Sequence, residues 1–155
     1  MKLTTKGRYA VTAILDLVVY GGDRPVNLND ISTRQKISLS YLEQLFTKLR
    51  RQGVVESVRG PGGGYKLVCS PSELTVAAVI DAVGERVQTS RCEGDGNCRE
   101  DRPCLTHQLW YGLDLHIRGY LDGINFSQLA AERLEIDKDR EAESVMSTAT
   151  LIEQV

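Results

Sequence analysis

No stretch of this sequence approaches the roughly 18 consecutive apolar residues needed to cross a bilayer. The one candidate, Ala10–Tyr20, is interrupted by Asp16. Lys2, Lys6 and Arg8 precede it, but no small-residue cleavage site follows, so a secretory leader is not expected. The chain is read as cytoplasmic, with no membrane partner. The run Gly60–Gly64 lacks the Gly-Lys-Ser/Thr ending of a phosphate loop and the strand-turn-helix context such a loop needs, which sets nucleotide binding aside. No two cysteines have the close spacing of a dithiol catalyst. Besides His107 the only histidine is His116, which supplies no convergent acid–base set. An enzyme is not expected, and there is no internal repeat.

What is present is divided by charge. The net charge of -2 conceals a first part, residues 1–68, with 11 Lys and Arg against 5 Asp and Glu, and a remainder with 8 against 16. A basic surface separated from an acidic one is the footprint of a phosphate-binding face rather than of general stickiness. At 155 residues the chain holds one domain with a true core and an appendage.

The basic part reads as three helices and a hairpin. Thr4 or Thr5 caps a helix through Tyr9, Val11, Ile14, Leu15 and Val18 that stops at Gly21-Gly22. A short helix starts near Asn29 and fades around Lys36. Ser38 caps a third, in which Leu42, Leu45, Phe46 and Leu49 form an amphipathic stripe ended by Gly53. Val54–Val58 and Tyr65–Val68 flank the glycine-rich turn as a hairpin. This order is that of a winged helix-turn-helix: mainly α with a small β-hairpin, the helix-turn-helix over about 28–51 and the wing over 54–68.

At about 100° per residue, Ser40, Glu43, Gln44, Thr47 and Arg51 fall opposite the apolar stripe. The N-terminal residues of a recognition helix meet base edges, which nominates Ser40, Glu43 and Gln44. Gln pairs with adenine, and Glu accepts from the cytosine amino group while repelling phosphate, so Glu43 is a specificity element. Arg59, at the base of the wing tip, suits a narrow minor groove. Lys6, Tyr41, Lys48, Arg50 and Arg51 suit phosphate contacts, which fix register. The alternative for each is an ordinary solvated surface residue. The basic half, the short inter-helix turn and the adjacent hairpin weigh against it.

Thr75 caps a further helix over 76–83, and residues 88–107 form a polar loop with almost no apolar anchor. The loop carries Cys92, Cys98, Cys104 and His107 in the pattern Cys-x5-Cys-x5-Cys-x2-His. In a reducing compartment these are metal ligands before they are disulfides. The spacing matches no common zinc finger, yet three Cys and one His are a legitimate zinc set, so zinc and an iron-sulfur cluster both stand. Arg91, Arg99 and Arg102 are placed to offset the negative charge of a cluster. Cys69 stands apart and is read as a small, partly buried residue.

From about Leu105 to Leu121 an apolar stripe recurs every four residues (Leu105, Leu109, Leu113, Ile117, Leu121). It is wider than one small domain needs and is read as a dimerisation helix. A domain of 1–131 would end with a short helix over Phe126–Glu132, and 132–155 would form a flexible acidic tail.

Four separated motifs carry a resemblance: Thr5-Lys-Gly-Arg-Tyr-Ala-Val, Ser38-Leu-Ser-Tyr-Leu-Glu-Gln-Leu-Phe, Val58-Arg-Gly-Pro-Gly-Gly-Gly-Tyr65, and Cys92/Cys98/Cys104/His107. Together they resemble the IscR family of iron-sulfur cluster transcriptional regulators over about residues 1–130. The resemblance implies a homodimer on pseudo-palindromic operators, with a 2Fe-2S cluster on the three cysteines and His107. It also implies repression of iron-sulfur assembly genes by the loaded form, and a second operator class bound without the cluster, with Glu43 discriminating between the two. Iron-sulfur assembly proteins would supply the cluster. Nitric-oxide-sensing regulators share the three-cysteine loop; His107 and Glu43 favour the IscR pattern. Cys69 and the tail match nothing in it.

Overall fold

The computed structural model describes residues 4–87, 89, 92, 94–100 and 102–152, with side chains as far as residue 142. The order of elements is α1 (Thr5–Gly21), α2 (Leu28–Gln35), α3 (Leu39–Arg51), β1 (Val55–Val58), β2 (Gly64–Leu67), α4 (Val76–Ala82), α5 (His107–Asp122) and α6 (Phe126–Ile152).

The local chemistry of each end explains the boundaries. The Thr4 hydroxyl accepts from the Lys6 amide and the Asn27 side chain from the Asn29 amide, each satisfying a first-turn donor. Ser38 occupies the N-cap of α3, but its hydroxyl makes no capping bond there, so the backbone turn alone starts this helix. Gly53, at φ +72°, donates to the Arg50 carbonyl while Val54 donates to that of Leu49. Glycine takes this left-handed position without a Cβ clash.

The hairpin pairs Val55 with Leu67 and Val58 with Gly64. Its tip turns at Gly60-Pro61-Gly62-Gly63: Gly62 has φ +73° and the Gly63 amide donates to the Gly60 carbonyl at 2.9 Å. Pro then Gly at the two central positions is the sequence of a type II turn. On the outer edge of β2, next to its tip end, Val26 and Tyr65 exchange backbone hydrogen bonds of 2.9 and 2.8 Å, which fasten the wing to the entry of α2.

The core is formed by α1, α2, α3, the inner side of the hairpin, α4 and the start of α6. Ile14, Ile31, Leu42, Phe46, Leu49, Val79 and Phe126 are fully buried in it. Phe126 closes it from the far end of the chain. Its amide donates to the Leu74 carbonyl, and the Val76 amide donates to that of Ile124.

Two differences from the sequence reading concern the second half. The long helix starts at His107 rather than Leu105, with Thr106 as its N-cap residue. The residues after Leu134, expected as a loosely ordered tail, continue α6 as far as Ile152. No glycine or proline follows Gly123 to stop the helix, and Arg133 and Asp137 pair across one turn at 2.7 Å. Among the described residues, no helix is long and apolar enough to cross a membrane.

Candidate metal centre and nucleic-acid interface

The loop between α4 and α5 is organised by short turns. Asp95 donates to the Cys92 carbonyl at 2.8 Å, Arg99 and Arg102 exchange backbone bonds of 3.1 and 2.9 Å, and His107 donates to the Cys104 carbonyl at 3.0 Å. The Arg99–Arg102 bridge brings the chain back on itself, so that Cys98 and Cys104 flank it. Gly94 and Gly96 take φ of +94° and +73°. A Cβ at Gly94 would meet the Tyr111 ring at 3.3 Å, and one at Gly96 would meet Pro103 at 3.4 Å. The loop therefore wraps closely around the first turn of α5.

Inside that wrap three donor atoms converge. Cys98 Sγ lies 3.1 Å from Cys92 Sγ and 3.3 Å from His107 Nδ1, and Cys92 Sγ lies 3.5 Å from the same nitrogen. Cys92 and His107 are buried, while Cys98 is at the surface. The His107 ring stacks on Tyr111 with centroids 6.1 Å apart, which fixes its orientation. Two thiols and an imidazole with these separations form a group able to hold a metal.

Cys104 stands beside this trio rather than in it; its sulfur is 3.7 Å from the Thr106 hydroxyl. That hydroxyl, then the Thr106 backbone, pulls the Cys104 thiol below its ordinary range. For Cys98 the Cys104 backbone favours the thiolate. The hydrogen bond with Cys92, partial desolvation and the Cys104 side chain together outweigh it and push the thiol up. The chemistry of the set, soft thiols with one imidazole on a loop that turns through Gly94 and Gly96, fits an iron-sulfur cluster with Cys104 as the further thiolate. Arg99 and Arg102 are exposed beside it; Arg91 lies outside the described residues. Cys69 is partly buried against the core, far along the chain from the loop.

On α3 and the wing, Ser40, Glu43, Gln44, Arg50, Arg51 and Arg59 are all exposed, as a reading surface requires. Tyr41 is half-buried, and its ring meets that of Tyr9 edge-on at 5.8 Å, so α1 supports the first turn of α3. Thr47 turns its hydroxyl back to the Glu43 carbonyl at 2.8 Å. Lys6 and Lys48 differ from the other phosphate candidates. Lys6 Nζ donates to the Gly84 carbonyl at 3.4 Å and Lys48 Nζ to the Val83 carbonyl at 3.5 Å. Both are engaged with the end of α4.

Residues 3–132 match the Rrf2 family, described as iron-dependent transcriptional regulators. The chain belongs to the Rrf2 family. It is 59% identical over 131 residues to the HTH-type transcriptional regulator ORF2 of Azotobacter vinelandii, covering 84% of this chain and 80% of that protein. It is 54% identical over 132 residues to the HTH-type transcriptional regulator IscR of Aliivibrio salmonicida, covering 85% and 79%. Among solved structures it is similar to the global cysteine regulator CymR of B. subtilis, with a TM-score of 0.74 at 30% identity over 85% of this chain and 98% of that one. It is also similar to T. potens IscR, with a TM-score of 0.71 at 32% identity over 86% and 88%. This Rrf2 protein is thus a DNA-binding transcriptional regulator of IscR type, with the winged-helix fold that its sequence predicts. Its relatives are regulators rather than enzymes.

The sequence reading missed Thr106, Tyr111 and Glu85. Thr106 and Tyr111 flank His107 and are within reach of local reasoning. Glu85 works across the chain and leaves no periodic trace.

Proposed function

We propose that this Rrf2 protein senses iron-sulfur status through a 2Fe-2S cluster held by Cys92, Cys98, Cys104 and His107. The observation that carries the reading is the convergence of Cys92, Cys98 and His107 within 3.1 to 3.5 Å at the start of α5. A bound cluster supplies a redox-active, labile centre whose presence reports the supply of iron and sulfide. The protein's own residues do the rest. The imidazole is held by Tyr111, the loop closes through Gly94 and Gly96, and α5 ends up with its first turn inside the site.

In this reading the protein is a cytoplasmic homodimer. α5 leaves Leu109, Trp110, Leu113 and Tyr120 exposed, an apolar face suited to a second copy. Two copies present two α3 helices to pseudo-palindromic DNA. Ser40, Glu43, Gln44 and Arg59 read bases, while Lys6, Tyr41, Lys48, Arg50 and Arg51 hold phosphates. The loaded form represses iron-sulfur assembly genes and the cluster-free form serves a second operator class, with assembly proteins as the source of the cluster.

The test is anaerobic purification of the wild type and of Cys92→Ala. Visible absorption with iron and sulfide in equal amounts in the wild type, absent from the variant, supports the cluster. One equivalent of zinc without sulfide refutes it in favour of a structural zinc site. DNA affinity that is the same with and without the cluster on every duplex tried refutes the sensing.

A further inference from the structure

The end of α4 turns the chain back toward the DNA-binding elements. Val83 is the C-cap, Gly84 takes φ +71°, and the Gly84 and Glu85 amides donate to the carbonyls of Asp81 and Ile80. These paired closing bonds form a Schellman ending. The turn delivers four acceptor atoms. One Glu85 carboxylate oxygen accepts from the Thr4 hydroxyl, and the other accepts from the Gly7 amide at 2.8 Å. Glu85 thereby caps α1, where a negative charge meets the positive helix end. The Gly84 and Val83 carbonyls accept from Lys6 and Lys48.

The same segment is tied to the metal-centre side. The Thr89 amide donates to Asp114 Oδ1 at 2.7 Å and its hydroxyl to the Trp110 carbonyl at 3.2 Å, both on α5. Cys92 follows shortly after in the chain. One short segment therefore touches α1, α3 and α5.

We propose that Glu85 is a positioning residue that transmits the state of the metal centre to the DNA-contacting parts of α1 and α3 within a single protomer. This rests on the metal-sensing reading above and adds a route that does not pass through the dimer helix. A shift of the loop moves residues 83–87, and Glu85 moves with them. The first turn of α1 then gains or loses its cap, and Lys6 and Lys48 are held to the α4 carbonyls or released to phosphate. An ammonium that donates to a backbone carbonyl has one donor fewer to offer a phosphate. The segment thus has two arrangements that differ in the basic groups offered to a duplex.

The experiment uses full-length protein, loaded anaerobically or stripped, on a duplex selected by the loaded wild type from a random-sequence library. The readout is the ratio of loaded to stripped affinity. In Glu85→Ala this ratio collapses to within about twofold, with the visible absorption of the loaded form unchanged. Glu85→Gln, whose amide oxygen still accepts from Gly7, recovers most of the wild-type ratio. A purely structural role would weaken both states alike and leave the ratio intact, and that result overturns the proposal. Hydrogen exchange in the first turn of α1, measured on the wild type, needs no variant to fold; equal exchange in the two states also overturns it. A wild-type ratio of one would instead remove the sensing reading itself. It is distinguishable from failure of Glu85 alone, in which the wild-type ratio persists in Glu85→Ala.

Discussion

Arg34, in the last turn of α2, grips the buried carboxylate of Asp16 on α1 through two hydrogen bonds of 2.6 and 3.0 Å, and Gln35 adds a third of 2.6 Å. The guanidinium also lies 4.5 Å from the Tyr20 ring centroid, and its bond to Asp16 holds it firmly protonated. The polar residue that breaks the apolar run of α1 is thus the socket for the first helix of the helix-turn-helix.

Removing one partner of such a pair strands the other charge. Arg34→Met is expected to destabilise the fold by about 3–5 kcal/mol, because Asp16 stays buried without its cation. Urea denaturation measures this. Pairing the change with Asp16→Leu should recover a large part of the loss, and a double variant no more stable than the single one would refute the account.

The proposed interface assigns reading and holding to different residues. Glu43→Ala is expected to relax base preference at one position of each half-site, a change on the order of 1–3 kcal/mol in discrimination. Arg50→Ala is expected to weaken binding evenly across sequences and lower the salt slope by about one. Competition binding over a series of salt concentrations tests both. A uniform loss for Glu43→Ala would remove it from the base-reading set.

The metal loop makes a prediction about pH. In stripped protein the Cys104 thiol lies below its ordinary range because Thr106 stabilises the thiolate, and the Cys98 thiol lies above it. As pH rises, Cys104 forms its thiolate first and is alkylated by iodoacetamide before Cys98. Mass spectrometry of labelled peptides gives the order. Thr106→Val should narrow the difference, and labelling of Cys98 ahead of Cys104 would contradict it.

α5 leaves Leu109 63% exposed. Leu109→Asp is expected to yield a monomer in sedimentation velocity and to reduce affinity for a two-half-site duplex far more than for a single half-site. A dimer that survives the change would move the interface elsewhere.

The DNA-binding part was legible because its signals are local. Helical periodicity, Gly53 and the Pro61-Gly62 turn each act within a few residues. The cysteine set was legible as ligand types but not as a geometry, since spacing alone does not say which three donors converge or that Cys104 lies beside the Thr106 hydroxyl. Glu85 caps an amide 78 positions away, and no spacing rule reaches that far. From the sequence, Phe126 only starts a short helix. Its full burial in the core goes with a backbone bond to Leu74, far back in the chain, and could not be inferred from its neighbours.

The fastening of Tyr65 to Val26 has a consequence for how operators can evolve. Because the wing is bolted to the entry of α2, and its tip is set by a proline and a glycine, wing and recognition helix form a caliper with a fixed opening. With Glu43 and Arg59 as the proposed base contacts, a base inserted between their two positions would have to be absorbed by the DNA rather than by the wing. Target sites of such a protein are expected to tolerate substitutions within each half-site better than insertions or deletions between the two contacts.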